Sequence, residues 1–476
     1  MIIDKHKNLC YNVGALCIVN GGRKLKKFKL NISTTQMIML SFLIGVFIGS
    51  ILLSLPISSA DGKPIPYVDA LFTATTSICV TGLVTLPVFS TWSVFGQIII
   101  LIMIQIGGLG IVTIMSGILI SLNRRFGLKD RILMQDAFNL NSMSGMVRFI
   151  KAVLKGTFIV EGLGALLYMT VFIPQYGWKG IWISVFNAIS AFCNAGIDII
   201  SENSLCPYAL NPMVNFTTSL MVILGGIGYV VWWDVIRVSK CFPEKRFKCL
   251  SALSLHSKIA LTATAVLLAV GTLGFFIFEY NNPLTIGNMS IFDKLQISFF
   301  QSMTTRTAGF ASVPQNTLTN TSAVFSLFLM FIGGSPVGTA GGVKTVTMAV
   351  LLYSALAAIR NKQELSMFRR RISKQAISKA VAVVTVSFMI MFISTILLSA
   401  VTNADIMDIA YETVSATATV GLTRDLTPTL NIWGKLIIIV TMYLGRVGPI
   451  SLLIAFNTKK NKNNIIKDPV EDISIG

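Results

Sequence analysis

Ser77-Ile78-Cys79-Val80-Thr81-Gly82 decides the reading of this chain, because the stretch comes back three times. Ala191-Phe192-Cys193-Asn194-Ala195-Gly196, Thr304-Thr305-Arg306-Thr307-Ala308-Gly309 and Ala416-Thr417-Ala418-Thr419-Val420-Gly421 follow it, at glycine separations of 114, 113 and 112 residues. Ten residues before each glycine stands an aromatic (Phe72, Phe186, Phe299, Tyr411), and one residue after it a large apolar residue (Leu83, Ile197, Phe310, Leu422). One matched pair is easy by chance in a chain with 37 glycines, but four units with agreeing flanks are a true period. Self-similarity at a fixed period marks a repeated architecture.

The surroundings of these stretches are apolar. The 476 residues are 53% hydrophobic and only 12% charged, with a mean hydropathy of +0.73. Soluble domains carry about 25% charged residues. This composition excludes a secreted enzyme, a cytosolic enzyme and a nucleic-acid binder, and points to a bundle of membrane spans. Runs long enough to cross a bilayer lie near 36–57, 92–121, 148–174, 212–238, 256–280, 322–355, 374–401 and 431–457. Shorter semi-apolar stretches near 67–78, 181–193, 292–304 and 406–417 precede the four glycines. About 12 helical residues rise about 18 Å, short of a hydrocarbon core of about 30 Å, so these read as re-entrant half-helices. The expected fold is an all-α polytopic membrane protein of four M1-P-M2 repeats, with eight spanning helices and four re-entrant pore helices around a pseudo-fourfold pore. Its segments are an N-terminal piece 1–35, repeats 36–121, 148–238, 256–355 and 374–457, and a tail 458–476.

The net charge of +19 has a topological origin. Of 39 Lys and Arg, 31 fall in clusters at 1–35, 122–155, 237–258, 356–379 and 456–476, flanking the apolar runs. Such clusters stay cytoplasmic, so both termini are expected inside a cell membrane crossed many times. The first 30 residues lack the apolar core of a cleavable signal, and the first span is expected to direct insertion. The opposite side and the pore mouth then carry Asp61, Asp69, Asp198, Glu202, Glu279, Asp293, Asp405, Asp408, Glu412 and Asp425 against Lys63, Lys179, Lys294, Arg424 and Lys435. An acidic vestibule of this kind concentrates cations. The seven cysteines show no CxxC pair, and the two histidines, His6 and His256, offer no metal-ligand spacing.

Irregular backbone at membrane depth is tolerated where it lines a watery cavity. Glycine allows positive φ and leaves its carbonyl unobstructed, and rings of carbonyls can replace the hydration shell of a monovalent cation. On these grounds the expected filter comprises Ile78, Cys79, Val80, Thr81, Gly82; Phe192, Cys193, Asn194, Ala195, Gly196; Thr305, Arg306, Thr307, Ala308, Gly309; and Thr417, Ala418, Thr419, Val420, Gly421. Together with Gln105-Ile106-Gly107-Gly108-Leu109-Gly110, Gly225-Gly226-Ile227-Gly228-Tyr229 and Gly445-Arg446-Val447-Gly448-Pro449, these loops resemble the Trk/Ktr/HKT superfamily of potassium transporters over roughly residues 36–457. Eight spans without an extra N-terminal pair resemble its KtrB membrane subunit more than the TrkH type. The resemblance implies a homodimer with one pore per protomer, and a cytoplasmic ring of nucleotide-binding RCK subunits of the KtrA type. It implies no cofactor in this chain and K+ as the transported ion, the only metal, with Na+ as an activator left open. Glycine in all four loops goes with potassium selectivity in the family, where serine at the first goes with sodium. Cys79 and Cys193 are expected to alter little beyond thiol accessibility.

The sixth span is interrupted by Gly333-Gly334-Ser335-Pro336-Val337-Gly338-Thr339-Ala340-Gly341-Gly342-Val343-Lys344. Five glycines at about 1 kcal/mol each and a proline at about 3 make a continuous helix costly here. An unwound segment is expected, and by resemblance it is the family's intramembrane gate loop. Arg446, midway along the last span, is expected either to face the pore below the filter or to pair with Glu161 or Asp234, since a charge at that depth is expensive alone. Arg306 is expected to point behind the filter and pair with an acid such as Glu412, because facing the ion path it would repel a bound cation. Competing readings are a sodium-permeable or sodium-coupled member of the same superfamily, a transporter of inverted repeats, and a membrane enzyme. Four same-orientation repeats disfavour the second. No HExxH, GxSxG or P-loop motif supports the third. The basic loops around Lys245-Arg246 and Arg369-Arg370-Arg371 are candidate docking points for a partner ring.

Overall fold

The computed structural model describes residues 33–122, 127, 145–240, 251–361 and 364–448. The expected N-terminal piece up to residue 32, Lys245-Arg246, Pro449 and the tail 458–476 lie outside the described residues. The chain is mostly helical. Four unbroken helices are long and apolar enough to cross a membrane: α1 (Thr34–Leu53), α5 (Met146–Tyr176), α9 (Leu255–Glu279) and α13 (Lys374–Val401). Each leads into a shorter helix of 13 to 15 residues: α2 (Tyr67–Cys79), α6 (Lys179–Cys193), α10 (Ile291–Thr304) and α14 (Ile406–Ala418). These ranges agree with the half-helices read from the sequence.

The helices that follow depart from expectation. The apolar runs 92–121 and 212–238 read as continuous spans, yet each is broken by one glycine. The first divides into α3 (Val94–Leu109) and α4 (Ile111–Ser121), bent by 95°, and the second into α7 (Pro212–Ile227) and α8 (Tyr229–Ser239), bent by 97°. With both bent pairs counted as spans, the described residues hold six. The hinges Gly110 and Gly228 sit at φ 84° and 94°, conformations that cost a side chain but not glycine. In the last helix, α15 (Ile432–Val447), Gly448 takes the same shape at φ 85°. Between α11 (Asn320–Phe331) and α12 (Thr345–Ile359) the break widens to residues 332–344, as the glycines and Pro336 predict.

Burial inverts the usual order of a bundle. The long helices keep broad apolar faces outward, with Ile44, Phe47, Ile48 and Ile51 on α1 and Phe388, Phe392 and Ile396 on α13 exposed, as lipid-facing helices require. The short helices are buried in the middle. Each packs on the long helix before it and on the second-span helix of the preceding unit: α6 on α3, α10 on α7, α14 on α11, and α2 on α15. The last pair closes the circle, and a salt bridge of 2.5 Å between Lys435 and Asp69 lies across that seam. Side-chain caps start the second-span helices: Ser93, Asn211, Thr319 and Asn431 each accept from backbone N–H groups of the first turn.

Candidate functional site

The four short helices end at the middle of the circle, and the loops after them share one backbone design. Two residues before each periodic glycine the chain turns left-handed: Val80, Asn194, Thr307 and Thr419 have φ of 54°, 59°, 65° and 51°. For β-branched Val and Thr such angles are true outliers, and strain of this kind persists only where surroundings enforce it. The enforcement is visible. Main-chain bonds of Schellman type run from Thr81 N to Thr76 O (2.9 Å), Ala195 N to Ser190 O (2.8 Å) and Val420 N to Ser415 O (2.8 Å). A hydroxyl at the end of the same helix holds the outgoing loop. Gly82 N donates to Thr76 Oγ1 (3.0 Å), Ile197 N to Ser190 Oγ (3.2 Å) and Gly421 N to Ser415 Oγ (3.0 Å), while Thr304 Oγ1 donates to Phe310 O (2.5 Å).

The loop ending at Gly309 corrects the sequence alignment. Phe72, Phe186 and Tyr411 are fully buried ten residues before their glycines, but the matching residue in the third loop is Phe300, not the exposed Phe299. Its holding hydroxyl is Thr304, four residues after the aromatic as in the other loops, and its turn closes with Ala308 N to Thr304 O at 3.0 Å. This loop is therefore one residue shorter between hydroxyl and glycine.

The four glycines, at φ 101°, 64°, 84° and 96°, form a closed ring. A Cβ on Gly82, Gly196 or Gly309 would lie 2.6 Å from the carbonyl oxygen of Ala195, Ala308 or Val420, and one on Gly421 would overlap that of Thr81. Each glycine thus faces the carbonyl of the next loop around, and a side chain at any of the four would push on that backbone. Four helix C-termini, each with a partial negative charge, converge on this ring of carbonyls. Such an arrangement can coordinate a dehydrated monovalent cation. Glycines in the last turns of α3, α7 and α15 seat the ring: a Cβ on Gly107, Gly225 or Gly445 would overlap the carbonyl oxygen of Ile78, Phe192 or Thr417. Hinge and seat both belong to these motifs, and the sequence reading used neither property. The recurring G-x-x-G spacing of Gly107/Gly110, Gly225/Gly228 and Gly445/Gly448 was the signal available.

Residues 332–344 lie against the helix-terminus side of the ring. Ser335 N donates to Gly226 O (2.8 Å), Thr339 N to Gly225 O (3.2 Å) and Tyr229 N to Val337 O (2.9 Å), so the segment docks on the α7–α8 hinge. The Thr339 hydroxyl reaches Phe192 O and Asn194 Oδ1, both at 3.0 Å. Gly341 abuts Thr419, where a side chain would collide with its hydroxyl. Lys344 folds back to Ala340 O (2.6 Å), and Ser335 meets Thr345 (3.0 Å). Gly333 and Gly342 touch across the neck of the loop, where Gly333 N bonds Val343 O at 3.0 Å, and Gly334, Pro336 and Gly338 pack on the α7–α8 hinge. A cavity of about 390 Å³ opens beside it, bounded by Gly341, Lys344, Arg446 and the hinge at Gly110.

Arg446 ties these parts together. Its Nη1 donates to Thr339 O (2.7 Å) and its Nη2 to Gly107 O (2.5 Å). Neither acid expected as a partner is used: Glu161 accepts from Gln105 Nε2 at 3.0 Å, and Asp234 from Arg237 at 2.5 Å and Ser254 N at 2.8 Å. Arg306 departs from expectation too. Glu412 is engaged by the hydroxyls of Thr423 and Thr427, and among the described residues Arg306 reaches Thr264 Oγ1 and Gly333 O, both at 3.5 Å. Cys79 and Cys193 are fully buried, with Cys193 packed on Gly108, so their thiols are not accessible from the ring. Several of the vestibule acids are structural: Asp69 pairs with Lys435, Asp408 with Arg424 (2.7 Å), and Glu279 caps the turn before α11 through Thr319 N (2.9 Å).

Comparison with known proteins supplies the family. The family model described as TrkH, cation transport protein, matches residues 7–467. The chain is 41% identical to the Ktr system potassium uptake protein B of Bacillus subtilis (strain 168), over 90% of this chain and 94% of that protein. It is 36% identical to the potassium/sodium uptake protein NtpJ of Enterococcus hirae (95% and 99% covered) and 34% identical to the Ktr system potassium uptake protein B of Vibrio alginolyticus (95% and 97% covered). Among solved structures, the potassium transporter TrkH from Vibrio parahaemolyticus superposes with a TM-score of 0.72 at 16% identity, covering 91% of this chain and 87% of that one. The chain belongs to the TrkH family and is a multi-pass membrane cation transport protein, not an enzyme.

Proposed function

We propose that the chain is the ion-translocating subunit of a Ktr-type potassium uptake system. The observation that carries this reading is the closed ring of four positive-φ glycines, each facing its neighbour's carbonyl at the C-termini of four buried helices. In this reading the chain has four M1-P-M2 repeats (36–121, 148–238, 256–355, 374–457) and eight spans, two of them bent at Gly110 and Gly228. The filter comprises residues 78–82, 192–196, 305–309 and 417–421, and both termini are cytoplasmic. Potassium is favoured over sodium by glycine at all four ring positions and by the names of the B-subunit relatives. NtpJ, a potassium/sodium uptake protein, keeps sodium permeation or coupling as the second reading.

Residues 333–344 and Arg446 form the gate. The segment closes off the helix-terminus side of the ring, and Arg446 latches it through Thr339 O. A segment held by its neighbours' carbonyls can leave without unfolding any helix. The chain would form a homodimer, and a cytoplasmic ring of nucleotide-binding RCK subunits would supply the work of opening; the word "system" in the relatives' names supports a separate component. The exposed turn around Arg369-Arg370-Arg371, paired to Glu364 through Arg371 (2.6 Å), is a candidate contact.

The test is flux into proteoliposomes from the purified chain and from Gly82→Ser. Potassium-preferring uptake that becomes sodium-tolerant in the variant is expected. Equal potassium and sodium uptake by the unaltered chain would sink the selectivity assignment.

A further inference from the structure

Behind the loops that end at Gly196 and Gly309 lies a cavity of about 20 Å³, walled by Val222, Leu268 and Met303 and edged by Arg306, Asn194 and Thr264. A cavity needs about 10–15 Å³ to hold one water-sized occupant. Arg306 is 8% exposed, and among the described residues no carboxylate pairs with it. Its two contacts, both 3.5 Å, are at the limit of hydrogen bonding, and its Nε has no partner. Asn194 is 1% exposed; its Oδ1 is taken by the Thr339 hydroxyl, and its Nδ2 has no partner. The groups at this cavity left unmatched on Arg306 and Asn194 are therefore donors, and one of them carries a full positive charge.

We propose that this pocket binds one small monovalent anion, chloride, held between the Arg306 guanidinium and the Asn194 amide. A buried charge is strongly destabilising until something of opposite sign meets it. The C-terminus of α10 offsets part of it, but reaches neither Nε nor the amide. Water could accept these bonds, yet it would bring two protons of its own into a pocket with apolar walls. A halide brings none. The anion would also screen the guanidinium from the adjacent ring, where bare positive charge would weaken cation binding. The site does not depend on which cation the ring takes, because its test reads stability and not transport.

The purified full chain is melted at constant potassium and ionic strength while gluconate is replaced stepwise by chloride or bromide. Binding to the folded state raises the melting temperature saturably, and a rise of a few degrees with either halide is expected. Arg306→Gln should flatten the titration. Asn194→Asp, which places a carboxylate beside Arg306 and tolerates the left-handed backbone, should melt high in gluconate and ignore halide. A wild-type melting temperature indifferent to halide, or an equal rise in Arg306→Gln, overturns the proposal. Should Arg306→Gln fail to fold, crystals of the wild-type chain in bromide decide. An anomalous peak between residues 194 and 306 supports the site, and bromide bound only elsewhere overturns it.

Discussion

The glycine ring and the segment 332–344 are both irregular, buried and rich in glycine, yet they are held in opposite ways. Each ring loop is secured by its own helix, through a carbonyl and a hydroxyl four to seven residues away, as in Thr76 with Thr81 and Gly82. The segment is secured mainly by others: the carbonyls of Gly225, Gly226 and Phe192, and the side chain of Arg446. Local bonds last as long as the helix does. Bonds to other elements break when those elements shift, so the same composition is fixed by its own helices in one place and by its neighbours in the other.

The sharpest attack on the fixed half is Gly421→Ala. Its φ of 96° costs an alanine about 1–2 kcal/mol, and overlap with Thr81 O adds to that. Potassium uptake in proteoliposomes should fall at least tenfold; retained uptake would mean the ring does not bound the ion path. On the half held by its neighbours, Arg446→Gln deletes bonds from a charged donor worth about 1.5–3 kcal/mol each. Uptake by the chain alone should rise several-fold, because the segment loses its latch. Unchanged or lower uptake would leave Arg446 a packing residue.

The hinges refine the comparison. Gly110 and Gly228 share a φ near 90°, but a Cβ on Gly110 meets only Thr113 Oγ1 at 3.8 Å, while one on Gly228 would overlap Pro336 O. Alanine should cost about 1–2 kcal/mol of stability at Gly110 and more at Gly228, where uptake should change as well. Melting temperature and flux on the two variants separate these outcomes, and equal effects would deny that the second hinge carries the segment. The smallest expected pair is Thr339→Val and Ser415→Ala, each removing bonds of about 1 kcal/mol. The first should raise uptake modestly at little cost in stability. The second should lower stability without opening the gate. The same phenotype from both would erase the distinction.

Much of this was legible in the residues. The period of the glycines, the half-helix lengths and the break after Phe331 follow from composition and propensity, which act over short distances and need no partner. The one-residue slip at Phe300 was not legible, because Phe299 and Phe300 are the same residue type and only burial tells them apart. Nor were the hinges at Gly110 and Gly228, since glycine inside an apolar run is compatible with a straight helix as well as with a positive-φ bend. Nor could the sequence name what meets Arg306 and Arg446: a charge at membrane depth demands compensation, and backbone carbonyls such as those of Thr339 and Gly107, which bond Arg446, carry no mark in the sequence. By itself the sequence determined where the long apolar helices and the short helices lie and that the chain breaks after Phe331, because hydropathy and backbone freedom are properties of the residue. Which loop faces which, what holds the segment and where the buried arginines point were decided by the tertiary structure alone, because those contacts join residues far apart in the chain, 339 positions for Arg446 and Gly107.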